Sequence, residues 1–536
     1  MKKAAAVLMS LAIVLTMAGC GKSEETKKTK KSKKTKKETE ITETTETTED
    51  PYISMIEPST TESDEPTDTT PAPVAASSTA LHSELYTDTF GYGKLQDSDG
   101  YKYTTKVLYG MEYIEFSDSK YLDMQRAVVS YYEMLESELH AIYDTKLADY
   151  KKDSKENIYV EATTYIMRDD SYIFSYAVKH PSAKEDFDGY DTFNYWTESG
   201  EEIKLNDVIT NNYLFIAAVV KCGMQAKIPD ESLQDQTFQD SLRDGTCDFA
   251  LTYDGLYLFF DYFQLKVPLS ELKGAYNEKY FGHEPEEYFL TINADATLQY
   301  DFDRDGNEDS LLLEAKHEDP NDPYSVSSIA IHLNNDVQEV KEGIWGEFNP
   351  EYGEMYLMKT EDALYLYLTV GVDEGTEYVA YEYANGTWTY VNRFDDGEYF
   401  YAHPYDPHDV KMSRYIGIFG TNFMYSEYDL TKNHGLPTLI NPIYFTEDNF
   451  ICATTDVPCH QLNDNYEVIA ETTIPKGSIV QILAYTPDDN QFLLSICFED
   501  GTENYCVSVD VAKDADSYTI GGIPLSDAFT GLNYAG

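Results

Sequence analysis

The first eighty residues of this chain limit the fold before any pattern is read, because they cannot contribute to a core. Met1 to Cys20 (MKKAAAVLMSLAIVLTMAGC) is a basic start, an apolar run and a small-residue stop, the build of a secretory leader. The apolar run is short for a membrane span, which needs about 20 residues. Residues 21–80 begin with eight lysines between Lys27 and Lys37 and then turn to Thr, Glu, Ser and Pro with almost no large apolar side chain. Such composition cannot repay the entropy of ordering and reads as a disordered tether. Folded structure is therefore expected from Leu81 onward, with room for several domains in 536 residues.

Cys20 directly after Ala18 and Gly19 resembles the bacterial lipobox, with Met17 where that pattern usually has Leu. The resemblance implies lipidation of Cys20 and attachment to the outer face of the cell membrane. Lysines placed just after a lipid would add to the anchor, at about 1 kcal/mol each near an anionic surface.

The body is strongly acidic. The chain carries 40 Lys+Arg and 96 Asp+Glu; its first 80 residues hold 11 lysines, no arginine and 13 acids, leaving a body charge of −54. That field repels nucleic acid and favours cations and basic proteins, although acidity also serves plain solubility. Tyrosine is abundant, at 47 residues, against 3 Trp. Alternation of Tyr and Phe with polar residues fits β-rich extracellular domains. Tyrosine on open strands also suits stacking on a cell-wall glycan, half-buried strand tyrosine being the plainer reading.

Three blocks are expected: 81–282, α+β; 283–440, mainly β; and 441–536, a small β domain. In the first, Ala127, Val128, Tyr131, Met134, Leu135 and Ile142 recur at helical spacing over Tyr121 to Tyr150. Strands are expected at Ile158–Met167 and Tyr172–Val178 with Arg168 to Ser171 as their turn. A second helix, capped at Asn206 or Asp207, should run to Lys227, and a hairpin should turn at Asp254-Gly255. FNYWTESGEEIKLNDVI (193–209) and FALTYDGLYLFFDYF (249–263), followed by Val267-Pro268-Leu269, resemble the RsiV-type extracellular domain. That domain occurs in a lysozyme-sensing anti-sigma factor and beside wall polysaccharide deacetylases. The resemblance implies an α/β sensor or ligand-binding fold with a partner surface near its last hairpin, where this chain departs from the family's Pro-Tyr-Glu with Asp261-Tyr262-Phe263. The last block resembles the bacterial SH3-like barrel through Lys476-Gly477 leading into a strand, with Phe492-Leu493-Leu494 where that family has Trp.

The sharpest site candidate is DFDRDGNED, 301–309. Asp301, Asp303, Asp305 and Asp309 alternate as carboxylates do in a calcium loop, Gly306 permits the turn and Asn307 supplies a carbonyl. Leu312 replaces the bidentate Glu and the flanks read as strands, so a weak structural Ca²⁺ site is expected, not an EF-hand. A solvated Asp-Gly turn is the alternative.

Cys497 and Cys506 flank a short loop and are disulfide candidates. The cluster of His403, Asp406, His408 and Asp409 could ligate a metal, but its two prolines favour a solvated linker. Ser117 and Lys120 match Ser-x-x-Lys without its companion motifs. With no catalytic motif, the expectation is a lipid-anchored, non-catalytic surface protein that binds a ligand or acts as a sensor. A cell-wall-active hydrolase with an unrecognised site, or a structural wall tether, is the alternative.

Overall fold

The computed structural model describes residues 78–532 apart from the internal stretches 97–101, 117–118, 154–157, 182–187, 261–262, 293–296, 303–306, 320–324, 345–354, 362, 373–374, 395–397, 402, 421, 447–449, 464, 488–489, 498–502 and 515–516. It is mainly β, with a small helical region, as expected.

The first block begins with two long antiparallel strands, β1 (Ser83–Gln96) and β2 (Lys102–Phe116). Helix α1 (Leu122–Asp153) carries the chain back so that β3 (Ile158–Asp169) runs parallel to β2, and β4 (Ile173–Pro181) and β5 (Asp188–Trp196) complete the order β1-β2-β3-β4-β5. A parallel neighbour needs a long crossover, which α1 supplies. Its inward stripe is Met124, Val128, Tyr131, Tyr132, Leu135, Leu139 and Tyr143. Met134, read from the sequence as part of this stripe, is exposed. Gly200, at φ +67°, lets the loop after β5 seat on the first turn of α1: a Cβ there would lie 2.7 Å from Met124 N.

The expected single second helix is broken into two. A one-turn α2 (Leu205–Val208) precedes α3 (Asn212–Gln225), whose cap is Asn211, its side chain accepting from Leu214 N at 3.2 Å. Asp207 instead accepts from Lys204 N at 3.1 Å and closes the short turn. Two further short helices, α4 (Asp230–Leu233) and α5 (Gln236–Asp244), lead to a three-stranded sheet of β6 (Asp248–Leu251), β7 (Gly255–Phe260) and β8 (Phe263–Pro268). Buried Asn194 and Ser175 bind this sheet to the larger one. Asn194 Nδ2 donates to Phe249 O at 2.8 Å, while Leu251 N donates to Asn194 Oδ1 at 2.8 Å and to Ser175 Oγ at 2.9 Å. An edge strand left dry thus has its backbone groups satisfied.

The middle block is a sandwich. One sheet holds β9 (Tyr288–Ile292), β14 (Met355–Lys359), β15 (Leu364–Val372), β16 (Gly375–Ala384) and β17 (Thr387–Arg393). The other holds β10 (Leu298–Tyr300), β11 (Asp309–His317), β12 (Val326–Leu333) and β13 (Asp336–Val340). The turn at Asn385-Gly386 forms as expected, both residues having positive φ.

The expected boundary at 440/441 does not separate two sheets. Strands β18 (Tyr399–Phe400), β19 (Val410–Ile416), β20 (Asn422–Asp429) and β21 (Thr438–Leu439) continue, through β22 (Tyr444–Phe445), into β23 (Phe450–Ala453), β24 (Val457–Leu462), β25 (Val468–Ile474), β26 (Ile479–Thr486), β27 (Gln491–Cys497) and β28 (Glu503–Asp514). One face of β18–β20 covers the outer face of the sandwich with Phe400, Met412 and Tyr428. Phe492 is fully buried against Phe419 and Tyr485, with ring centroids 4.4 and 4.5 Å away; it is a core residue.

Candidate functional site

An open cleft of about 480 Å³ lies between helices α4–α5 and the β7–β8 hairpin, inside the usual range for ligand sites, about 300–1,000 Å³. Four phenylalanines line it. Phe238, from α5, meets Phe260 at 4.6 Å and Phe263 at 5.9 Å, and Phe260 meets Phe263 at 4.8 Å. Phe259 is fixed from behind by Tyr190 at 5.0 Å. The margin is acidic and hydroxylic. Asp235 caps α5, accepting from Phe238 N at 3.0 Å, and Asp248 accepts from Thr192 Oγ1 at 3.2 Å; both carboxylates are exposed. Cys247 sits in the wall with its thiol pushed up to about 12 by burial and by Asp248, so it is not a nucleophile at neutral pH. The arrangement can hold an apolar group between aromatic rings and meet a cation at the rim.

Of these cleft residues, Phe259, Phe260 and Phe263 fall in the 249–263 segment singled out in the sequence, and Phe238 carries no motif. The two Phe sources are some twenty residues apart and converge only through tertiary packing. Of the calcium-loop residues, Asp303 and Asp305 lie outside the described residues. Asp309 is tied to protein: its Oδ2 accepts from Phe302 N at 2.9 Å and its Oδ1 from Asn334 Nδ2 at 2.6 Å. Asp301 and Asn307 are described and flank the stretch. Among the described residues, no group of three or more His, Cys, Asp and Glu is placed to hold a metal ion.

The Cys497–Cys506 expectation rested on a register that is not adopted. Cys497 lies opposite Glu503 and Cys506 opposite Ser495, with a bulge beside Cys497. The Cys497 thiol is 3.8 Å from Ser495 O. Ser117 lies outside the described residues, and Lys120 sits over the Tyr121 ring at 4.6 Å. Cys20 and Lys27 to Lys37 also lie outside them. Among the described residues no helix is long and apolar enough to cross a membrane.

The expected solvated linker at 403–409 is instead a buried seam. Pro404, Asp406 and Pro407 are buried, and the four candidate ligands diverge. Asp406 pairs with His82 Nδ1 and accepts from His408 N at 3.0 Å. His408 reaches Glu287 at 2.5 Å, and the His403 ring lies 5.7 Å from that of Tyr356. Asp409 lines a pocket with Glu84, His403 and Glu427 that encloses about 10 Å³. That is space for about one water and none for a saccharide. The same seam holds Asp169, 2 % exposed, whose Oδ2 accepts from Ser83 N at 3.0 Å. Burial, and then the neighbouring Asp406, push its carboxyl up to about 7. Asp409 is likewise pushed up to about 7 by burial and by Glu427.

A second seam joins the first block to the sandwich. Arg168, read as a turn residue, is a strand residue with no exposed surface. Its Nε donates to Asp170 Oδ2 at 2.6 Å, its Nη1 to Tyr280 O at 3.0 Å and its Nη2 to Gly282 O at 3.0 Å, and the Tyr253 ring lies 4.9 Å from the guanidinium carbon. Close by, buried Lys266 pairs with Asp254 at 2.5 Å and donates to Thr291 O at 2.6 Å.

No protein-family profile matches the chain, and no curated protein does. Two solved structures are similar over part of it. One is a DUF3298 family protein from Pseudomonas aeruginosa PAO1, 15 % identical, covering 37 % of this chain and 97 % of its own, with a TM-score of 0.22. The other is a member of the same family from Bacteroides fragilis, 14 % identical, covering 37 % and 95 %, also with a TM-score of 0.22. Likeness of that strength assigns no activity, ligand or partner to this chain.

Proposed function

We propose that this chain is a lipid-anchored, extracellular, non-catalytic binding protein, sensor-like in build, whose body takes a basic protein ligand at the phenylalanine-lined cleft. The observation that carries the reading is the pairing of an aromatic floor with an acidic rim at Asp235 and Asp248. An apolar side chain flanked by Lys or Arg satisfies both. The acidic body would speed the encounter, and the cleft would give it register. The test is titration of the soluble body, residues 78–536, with basic proteins, lysozyme first, at low and at physiological ionic strength. Saturable binding that persists in salt and weakens about ten-fold in Phe260→Ala is expected from loss of one buried ring contact. Binding that vanishes in salt without a defined stoichiometry, or an unaltered Phe260→Ala, would overturn it.

The anchor in this proposal is Cys20 with Lys27 to Lys37. Cys20→Ala should abolish labelling by a fatty-acid analogue, and equal labelling of both proteins removes the anchor. Calcium is proposed as a structural ion at Asp301, Asp303, Asp305, Asn307 and Asp309. Identical thermal melts in millimolar calcium and in chelator would remove it.

A further inference from the structure

The face of β18–β20 turned away from the sandwich carries a row of aromatic rings that neither the cleft nor the seams use. The register explains it. Ser413, at the centre of β19, lies opposite Tyr399 on one side and Tyr425 on the other, while Tyr415 lies opposite Phe423. Because Ser413 is small and fully covered, rings from the two flanking strands close over it. Tyr399 and Phe423 approach to 5.8 Å, and Tyr415 and Phe423 to 6.1 Å. The row continues inward through Tyr401 stacked on Tyr425 at 4.8 Å. Its outer end is open: Phe423 is 54 % and Tyr415 44 % exposed. An exposed Phe wedged between two tyrosines on an open strand face leaves apolar ring surface in water and favours association.

We infer that this ring row is a binding surface for a neutral glycan strand, separate from the cleft and independent of what the cleft binds. A sugar presents a face of C–H groups with partial positive charge, which packs on the negative face of an aromatic ring. The interplanar angles, 67° and 62° along the outer rings, set them edge to face, so their open faces point in different directions, which suits one strand of polysaccharide and not a flat crystalline surface. Charge selects the ligand further. At the inner end Lys411 lies 5.2 Å from the Tyr425 ring and shares its surroundings with Glu84, Asp409 and Glu427, so the patch offers no surplus of positive charge to an anionic polymer. The acidic body meanwhile repels an anionic polymer.

The experiment is native-gel affinity electrophoresis of the body in soluble hydroxyethylcellulose, mixed-linkage glucan, xylan and glycol chitin, with polygalacturonate as the anionic control. Titration with chitohexaose and cellohexaose follows. Retardation by at least one neutral glycan, insensitive to salt, is expected. Phe423→Ala with Tyr415→Ala should weaken it about ten-fold, the loss of two exposed ring contacts, while Phe423→Trp retains it. Both positions are exposed, and an unchanged melting temperature shows that the fold is kept. Three results overturn the inference: no retardation by any neutral glycan, retardation unchanged in the double variant, or a concentration-dependent dimer that the double variant abolishes. The last would make this face a contact between copies of the chain.

Discussion

Arg168 and Asp169 are neighbours at the end of one strand, and they face different blocks. Alternation along β3 sends the guanidinium to the seam with the sandwich and the carboxyl to the seam with the last sheet. At the first seam, the charge meets Asp170, two backbone carbonyls and an aromatic ring. At the second, a buried carboxyl meets Ser83 N and then more carboxyls, Asp406 closest among them and Asp170 behind. Both places are dry. In one, the ion is fully partnered and stays an ion; in the other, crowded acids hold their protons up to about pH 7. Burial alone does not fix the behaviour of a charged seam. The supply of opposite charge does.

The comparison breaks most severely at Arg168. Arg168→Met should cost about 3–5 kcal/mol, because Asp170 would be left buried and uncompensated. Denaturant unfolding followed by tyrosine fluorescence measures it, and a cost under about 1 kcal/mol would mean that the guanidinium is not holding this seam.

The proton-sensitive seam should respond to pH instead. The folded pKa of Asp169 lies above its unfolded value, so its contribution is full below about pH 4 and is lost as pH rises through 7. His82, raised by its bond to Asp406, acts in the same direction above its ordinary value of 6.5. Stability should therefore fall from pH 6 to 8, by about 1 kcal/mol for Asp169, and Asp169→Asn should flatten that slope. A slope unchanged by the substitution would place the titrating group elsewhere. Smallest of the three is His82→Gln. The imidazole is half exposed, so removing its ion pair should change stability by less than about 1 kcal/mol, measured at pH 6 where it is charged.

Much of the backbone was legible because its signals are local. The α1 stripe follows from spacing and the turn at Asn385-Gly386 from residues that accept positive φ, whereas Gly255 is needed because a Cβ there would lie 2.3 Å from Val267 O. The misreadings share a cause. Arg168 looked like a turn residue because nothing near it in sequence reveals Tyr253, Tyr280 and Gly282. His403 to Asp409 looked like a solvated linker because its partner, His82, lies beside the tether. The 440/441 boundary is not one between sheets, because β20 and β22 pair across it. The cleft was legible only on its hairpin side, through the 249–263 segment: nothing joins Phe238 to Phe263 until α5 is packed on the hairpin. Cys497 and Cys506 failed because the ladder sets Cys506 opposite Ser495, two residues away from Cys497, a register that simple loop counting does not supply.

The first strand has a consequence for the order in which the molecule can be made. His82 bonds Asp406, Tyr405 bonds Ser83 O, Lys411 bonds Leu85 O and Gln481 bonds Thr89 O, across 324, 322, 326 and 392 residues. Those partners do not exist while the chain is still emerging from a ribosome or a translocation channel. Contacts so distant in sequence are slow to form, and the surfaces they later cover stay open meanwhile. A chain cut short anywhere before residue 400 lacks every one of these partners: it can still pair β1 with β2, but the groups of the N-terminal segment that meet the last sheet stay uncovered.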